Sequence, residues 1–186
     1  MFIILSGVAG AGKDTIKNEL ISRNDNIESL PSYTSRPIRP GDVPGKTYNF
    51  ITTEQFEKMI QNNELYEYSK HHNNYYGTSK KLLNDKIKSG KIIIKDIDVN
   101  GTEQLKKVLE KDIDLITIFL RVSKHELKKR LKERIDNPSE QEINLRLSRF
   151  EYEESKMNNY DYIIENLDVE KTIQEITNII NTKKCN

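Results

Sequence analysis

The sequence predicts an α/β fold with a mostly parallel central sheet, on three observations. Short apolar runs of β character stand at residues 2–6, 91–95, 115–120 and 162–164. Segments of helical period alternate with them at about 14–23, 102–110, 124–134, 140–157 and 169–181, the order in which βαβ units build a covered sheet. A glycine-rich stretch, Gly7-Val8-Ala9-Gly10-Ala11-Gly12-Lys13-Asp14-Thr15, lies between the first run and the first helix.

That stretch gives the fold its specific form. Glycines let successive N–H groups curl toward one point, and the following helix adds its positive end, so the segment is a cradle for phosphate. Lys13 supplies a mobile cation to the outer phosphates of a nucleoside triphosphate. The expected fold is therefore a P-loop three-layer α/β fold. The motif G-x-x-x-x-G-K-[ST] places a hydroxyl after the lysine, but here Asp14 holds that place and the hydroxyl comes next, at Thr15. We expect Asp14 to reach Mg²⁺ or its waters while Thr15 takes the hydroxyl role.

The second element group departs from the alternation. From Ser32 to about Lys81 the chain is rich in Tyr, Thr, Pro and Gly, with short β-like pieces and one helix near 53–61. It lies between the first and second core units and reads as an inserted lobe. Farther on, the apolar strand at 91–95 is interrupted by Lys95. The polar stretch 133–140 separates two basic helices and suits a short lid, the kind of element that closes a phosphotransfer site against water.

Bulk properties narrow the remaining classes. A chain of 186 residues suffices for one α/β domain with small inserted lobes. Apolar residues are 35% of the chain and mean hydropathy is −0.74, yet they cluster into strands, unlike a disordered sequence. A formal net charge of +1 points to no polyanionic partner such as nucleic acid. The single cysteine, Cys185, permits no intrachain disulfide and suits a reducing compartment. The N-terminal apolar run is too short for a secretion signal, and no run approaches the ~18 apolar residues of a membrane span. A cytoplasmic protein is expected, with oligomeric state open between monomer and homodimer.

Inside the lobe stands Ser32-Tyr33-Thr34-Ser35-Arg36-Pro37-Ile38-Arg39-Pro40-Gly41-Asp42, followed by Tyr48-Asn49-Phe50. Two arginines three apart, stiffened by prolines, form a fork for an anionic group. Then come Leu65-Tyr66-Glu67-Tyr68, Asn74-Tyr75-Tyr76-Gly77-Thr78, Asp96-Ile97-Asp98-Val99-Asn100-Gly101 and Tyr160-Asp161-Tyr162-Ile163-Ile164-Glu165-Asn166. These blocks, in this order over nearly the whole chain, resemble guanylate kinase, the nucleoside monophosphate kinase family that phosphorylates GMP.

The resemblance implies a division of the chain and a role for each residue. Residues 1–31, 82–125 and 159–186 would form the core, 32–81 the GMP-binding lobe, and 126–158 the lid and following helix. ATP would lie on residues 7–15, with Arg130 on its phosphates and Asn166 bordering the adenine. Arg36, Arg39 and the hydroxyls of Tyr48 and Tyr76 would hold the phosphate of GMP. Glu67 and Asp98 would accept from the donor edge of guanine, and Ser32 and Thr78 would serve its acceptor side. Asp96, ending a core strand, takes the place of a Walker B carboxylate for Mg²⁺. Lys13, Arg134 and Arg146 would close on the transferring phosphoryl group, whereas Arg149 receives no role. Two rival readings use the same fold: a non-catalytic peptide-binding module and a kinase acting on a phosphosugar. Retention of the whole phosphate loop speaks against the first, and the paired carboxylates Glu67 and Asp98 against the second.

Overall fold

The computed structural model describes residues 1–71, 73–133 and 139–184. In chain order the elements are β1 (Phe2–Gly7), α1 (Lys13–Ser22), β2 (Ile27–Ser29), β3 (Ser32–Thr34), β4 (Tyr48–Phe50), α2 (Thr53–Gln61), β5 (Leu65–His71), β6 (Asn74–Ser79) and α3 (Lys80–Ile87). They continue with β7 (Ile92–Asp96), α4 (Val99–Leu109), β8 (Leu115–Arg121), α5 (Lys124–Lys132), α6 (Glu140–Ser148), α7 (Phe150–Ser155), β9 (Tyr162–Glu165) and α8 (Val169–Lys184). A five-stranded sheet has the order β2-β7-β1-β8-β9, and a four-stranded sheet has the order β4-β3-β6-β5. The pairs β2/β7 and β8/β9 are parallel, as the α/β alternation requires. Among the described residues no helix is long and apolar enough to cross a membrane.

The chain divides into two compact units. The first comprises residues 1–3, 25–95 and 100–115 and holds the whole four-stranded sheet. Its core includes Phe56, Leu83, Ile93, Ile94 and Leu105, each fully buried. Phe56 stacks on Tyr75 with ring centroids 5.1 Å apart, which seats α2 on the sheet. The start of α2 is fixed by a reciprocal cap: Thr52 Oγ1 accepts from Gln55 N–H, and Gln55 Oε1 accepts from Thr52 N–H.

The second unit comprises residues 4–24, 96–99 and 116–186. Ile4, Leu5, Ile16, Ile118, Phe119, Leu120, Leu127 and Ile176 form its core. Residues 116–120 are buried without a break, the pattern of a strand covered on both faces. The Asp161 carboxylate accepts from both the N–H and the hydroxyl of Thr117, at 2.8 Å each, and fixes the approach to β9.

Element assignments change at α6–α7 and at α3, and the short strand β2 is also new. The helical period over 140–157 reads as one segment, but the backbone forms α6, then α7 from Phe150, then a 3-10 turn at Met157–Asn159. At the break the Ser148 hydroxyl donates to the Leu145 carbonyl, a local bond that competes with the helix ladder. Helix α3 is an addition, started by Ser79, whose hydroxyl accepts from Leu82 N–H at 3.3 Å.

Candidate active site

The phosphate loop is built by chain geometry that its glycines permit. Gly7 has φ +140°, and a Cβ there would lie 2.3 Å from the Leu120 carbonyl oxygen. Gly12, at φ +92°, stands before α1, and a Cβ would meet Asn166 Nδ2 at 2.8 Å. Both positions therefore exclude a side chain, for conformation and for space. Ala11 N–H closes the loop onto the Val8 carbonyl at 3.0 Å. Lys13 folds back over it, with Nζ donating to the carbonyls of Gly7 (2.8 Å) and Val8 (3.1 Å). Val8 and Ala11 are buried, whereas Asp14 and Thr15 lie exposed on the first turn of α1.

Two residues from later in the chain brace this loop. Asn166, 3% exposed, donates from Nδ2 to the Ala11 carbonyl at 2.6 Å, and its Oδ1 accepts from the Thr172 hydroxyl at 3.0 Å. Arg130 donates from Nη2 to the Asn166 carbonyl at 2.7 Å and from Nε to Glu126 at 2.8 Å. A cavity of about 350 Å³ opens here, lined by Gly12, Lys13, Arg130, Asn166, Leu167 and Val169. It lies at the low end of the roughly 300–1,000 Å³ typical of small-molecule pockets.

In the first unit the four-stranded sheet gathers the second group. Register places Ser32 beside Tyr48, Thr34 beside Tyr76 and Glu67 beside Thr78. Alternation along strands then puts Ser32, Tyr48, Glu67, Tyr76 and Thr78 on one face. A shift in pairing between Leu65 and Glu67, with Tyr66 as the extra residue, sets this up. Without that bulge Glu67 would oppose Gly77 and point to the other face. Glu67 is 4% exposed and its Oε1 accepts from the Thr78 hydroxyl at 2.5 Å. Rings of Tyr48 and Tyr76 meet edge to face at 5.9 Å, and the Arg36 guanidinium lies 5.2 Å from the Tyr48 ring centre.

A second charge arrangement holds Arg36. It is 7% exposed and donates to Asp42 Oδ2 at 2.8 Å and to the Pro37 carbonyl at 2.9 Å. Asp42 also accepts from the Arg39 N–H at 2.7 Å. Partial burial pushes the Asp42 carboxyl up, but the Arg39 N–H and the Arg36 guanidinium outweigh it and hold the group below its ordinary range. The two arginines thus differ: Arg36 is locked, while the Arg39 side chain is exposed and its backbone makes the contact.

Comparison with known proteins places the whole chain in one family. A family model described as guanylate kinase matches residues 1–183. The chain belongs to the guanylate kinase family. It is 39% identical over 179 residues to a guanylate kinase of Prochlorococcus marinus, covering 96% of this chain and 95% of that protein. To a guanylate kinase of Clostridioides difficile it is 38% identical over 185 residues, covering 99% and 88%. The crystal structure of guanylate kinase from Anaplasma phagocytophilum superposes with a TM-score of 0.77 at 28% identity, over 98% of this chain and 85% of that one.

Within this family member, the other expected residues sit as follows. Asp96 ends β7, and Asp98 immediately precedes α4, both in the second unit. The Ile97 N–H between them donates to the Leu5 carbonyl at 3.0 Å, fixing that segment to β1. Arg146 lies on α6, half-buried, and its Nη1 finds no hydrogen-bond partner among the described residues. Arg134 lies outside the described residues.

Three charged residues receive no role from the sequence reading, which marks Lys95 only as an interruption of its strand. Glu153, 4% exposed, accepts the Ala9 N–H of the phosphate loop at 3.0 Å. Burial pushes its carboxyl up; the Ala9 N–H, Lys13 and Arg149 pull it down without cancelling that, and Asp98 adds to the rise. Its signal in the sequence is Arg149 one helical turn earlier, whose Nε lies 3.4 Å from Glu153. Lys17 stands one turn beyond Lys13 and reaches Asp96 at 2.5 Å and Asp14 at 3.1 Å. Burial lowers the Lys17 ammonium, but the two carboxylates overcome it and hold the group well above the ordinary lysine value. The third is Lys95, buried on β7, whose Nζ donates to Ser32 Oγ at 2.5 Å. Asp14 and Asp96 thus converge on one point that already accommodates a cation, and hard carboxylate oxygens are the donors Mg²⁺ takes.

Proposed function

We propose that this chain transfers the γ-phosphoryl group of ATP to GMP, and to dGMP, giving ADP with GDP or dGDP. The observation that carries the choice of acceptor is Glu67, a carboxylate turned by a strand bulge onto the site face and buried beside the Thr78 hydroxyl. Guanine offers an N1–H and an exocyclic amine to such a group, and adenine lacks that donor pair. A buried carboxylate left unpaired by adenine makes discrimination of up to ~10⁴-fold attainable.

On this reading residues 32–81 are the monophosphate-binding lobe, 126–158 the lid and following helix, and the rest the core. Arg36 and Arg39, with the Tyr48 and Tyr76 hydroxyls, hold the acceptor phosphate, and Asp98 joins Glu67 on the base. ATP lies along residues 7–15, with Arg130 on its phosphates and Asn166 near the adenine. Lys13 exchanges its two loop carbonyls for the outer phosphates, while Arg134 and Arg146 neutralise the group in transit. Asp96 and Asp14, with the Thr15 hydroxyl, would hold Mg²⁺, whose chemistry here is to offset phosphate charge. No general base is required, because a phosphate acceptor with second pKa about 6 is already mostly dianionic at neutral pH. Catalysis then rests on positioning and charge neutralisation. The cytoplasm supplies both nucleotides and is the compartment this reading implies.

Coupled ADP release with ATP, Mg²⁺ and GMP, dGMP, AMP, CMP or UMP in turn tests the assignment. GMP and dGMP should turn over and the others scarcely. Equal rates with AMP would overturn the role of Glu67, and no turnover with any acceptor would overturn the activity.

A further inference from the structure

Lys95 is 1% exposed on a strand whose preceding residues are isoleucines, a costly place for an ammonium. Its Nζ donates to the Ser32 hydroxyl oxygen at 2.5 Å, linking β7 to β3 across 63 residues of chain. The chemistry of that bond is directional. An ammonium has donors and no acceptor, so Ser32 can only accept from it. A hydroxyl carries one proton, and with Lys95 on one lone pair that proton is offered to a different group. Ser32 is thereby fixed as a donor, polarised by an adjacent positive charge. It lies in register with Tyr48, on the sheet face that also presents Glu67 and Thr78.

We propose that Lys95 is a positioning residue for base selection. It turns the Ser32 hydroxyl so that it donates to the 6-oxo group of a purine nucleoside monophosphate. This rests on the acceptor assignment made above and deepens it. A 6-amino group brings a proton donor where guanine brings an acceptor. Against Ser32 it would face a second donor, with the Lys95 charge behind it. Guanine is then selected at two edges by separate means: Glu67 reads its donors, and the Lys95–Ser32 pair reads its oxygen.

The test is steady-state kinetics of the wild type, Lys95→Met, Ser32→Ala and the double variant, with GMP and with 2-aminopurine ribonucleoside monophosphate, which lacks the 6-oxo group. Each single change should raise KM for GMP about tenfold, the scale of one charge-assisted hydrogen bond. KM for ATP and kcat should stay within about twofold, and the double variant should lose no more than either single one. KM for the 2-aminopurine nucleotide should not move. Additive losses, equal losses on both acceptors, or an unchanged KM for GMP in Lys95→Met would each overturn the proposal. Thermal melts report folding. Should Lys95→Met fail to fold, Ser32→Ala and Lys95→Gln carry the same comparison, and equal losses on both acceptors overturn the proposal there too. A wild type that does not phosphorylate GMP overturns the assigned reaction instead.

Discussion

Replacing Lys17 by Met leaves Asp14 and Asp96 aimed at a point that no longer carries positive charge. The methionine keeps most of the packing, so the loss is electrostatic. Removing one partner of a fully buried pair costs about 3–5 kcal/mol, and breaking an exposed pair about 0–1 kcal/mol. The side chains of Lys17 and Asp96 are 10% and 26% exposed, and that of Asp14 is 80% exposed, so Asp96 dominates and Asp14 adds little. The expected loss is about 2 kcal/mol, or about 4–8 °C in melting temperature for a domain of this size. The Lys17 ammonium titrates above the ordinary lysine value, so its contribution is complete at neutral pH and is lost only as pH rises through that higher value. The gap to wild type should therefore be flat between about pH 6 and 9. Melting in EDTA and again with excess Mg²⁺ supplies the decisive comparison. Freed of the Lys17 ammonium, the two acids should bind the cation more tightly than in the wild type, where Lys17 competes for them. At ten times Kd binding returns about 1.4 kcal/mol, and the wild type should gain less at the same Mg²⁺ concentration. A variant that melts with the wild type in EDTA, or equal gains from Mg²⁺ in both proteins, would refute the reasoning.

Three further outcomes are expected. Glu67→Gln retains the shape of a buried side chain but loses a charge-assisted acceptor, so KM for GMP should rise about 100-fold with KM for ATP within twofold, in the ADP-release assay. Lys91 and Lys86 hold the Glu28 carboxyl at about 2, below its ordinary value of 4.5. That stability is present above the ordinary value and is lost as pH falls toward about 2. Glu28→Gln should therefore cost at most about 1 kcal/mol near pH 7, after screening at a one-third exposed site, and nothing near pH 2, by urea unfolding across that range. Glu153 has the opposite sign: its raised carboxyl weakens the fold as pH climbs above the ordinary glutamate value. The melting temperature of Glu153→Gln relative to wild type should increase as pH rises above the ordinary glutamate value, and a flat difference would refute a raised Glu153 carboxyl.

The strands were legible because their burial is written as apolar runs, as in Phe2–Leu5 and Ile118–Leu120. The loop was legible because Gly7, Gly12 and Lys13 are fixed by local backbone geometry. The short strand β2 was not, since three residues carry no period, and its pairing with β7 is made in three dimensions. Nor was the bulge at Tyr66: it is a relation between two strands, invisible in either alone, yet it decides which way Glu67 faces.

The charged residues divide along the same line. Asp96, Ser32 and the loop backbone are readable because the nucleotide contacts proposed for them constrain residue type and spacing. Their internal partners are Lys17, Lys95 and Glu153, which lie 79, 63 and 144 residues away from them in sequence. A distance of that kind leaves no periodic trace. Each partner is at least nine-tenths buried, so each has already borne the cost of leaving water in the folded chain. On the proposed reading, the groups that meet the nucleotide are thereby oriented before it arrives, and less reorganisation is left for the moment of transfer.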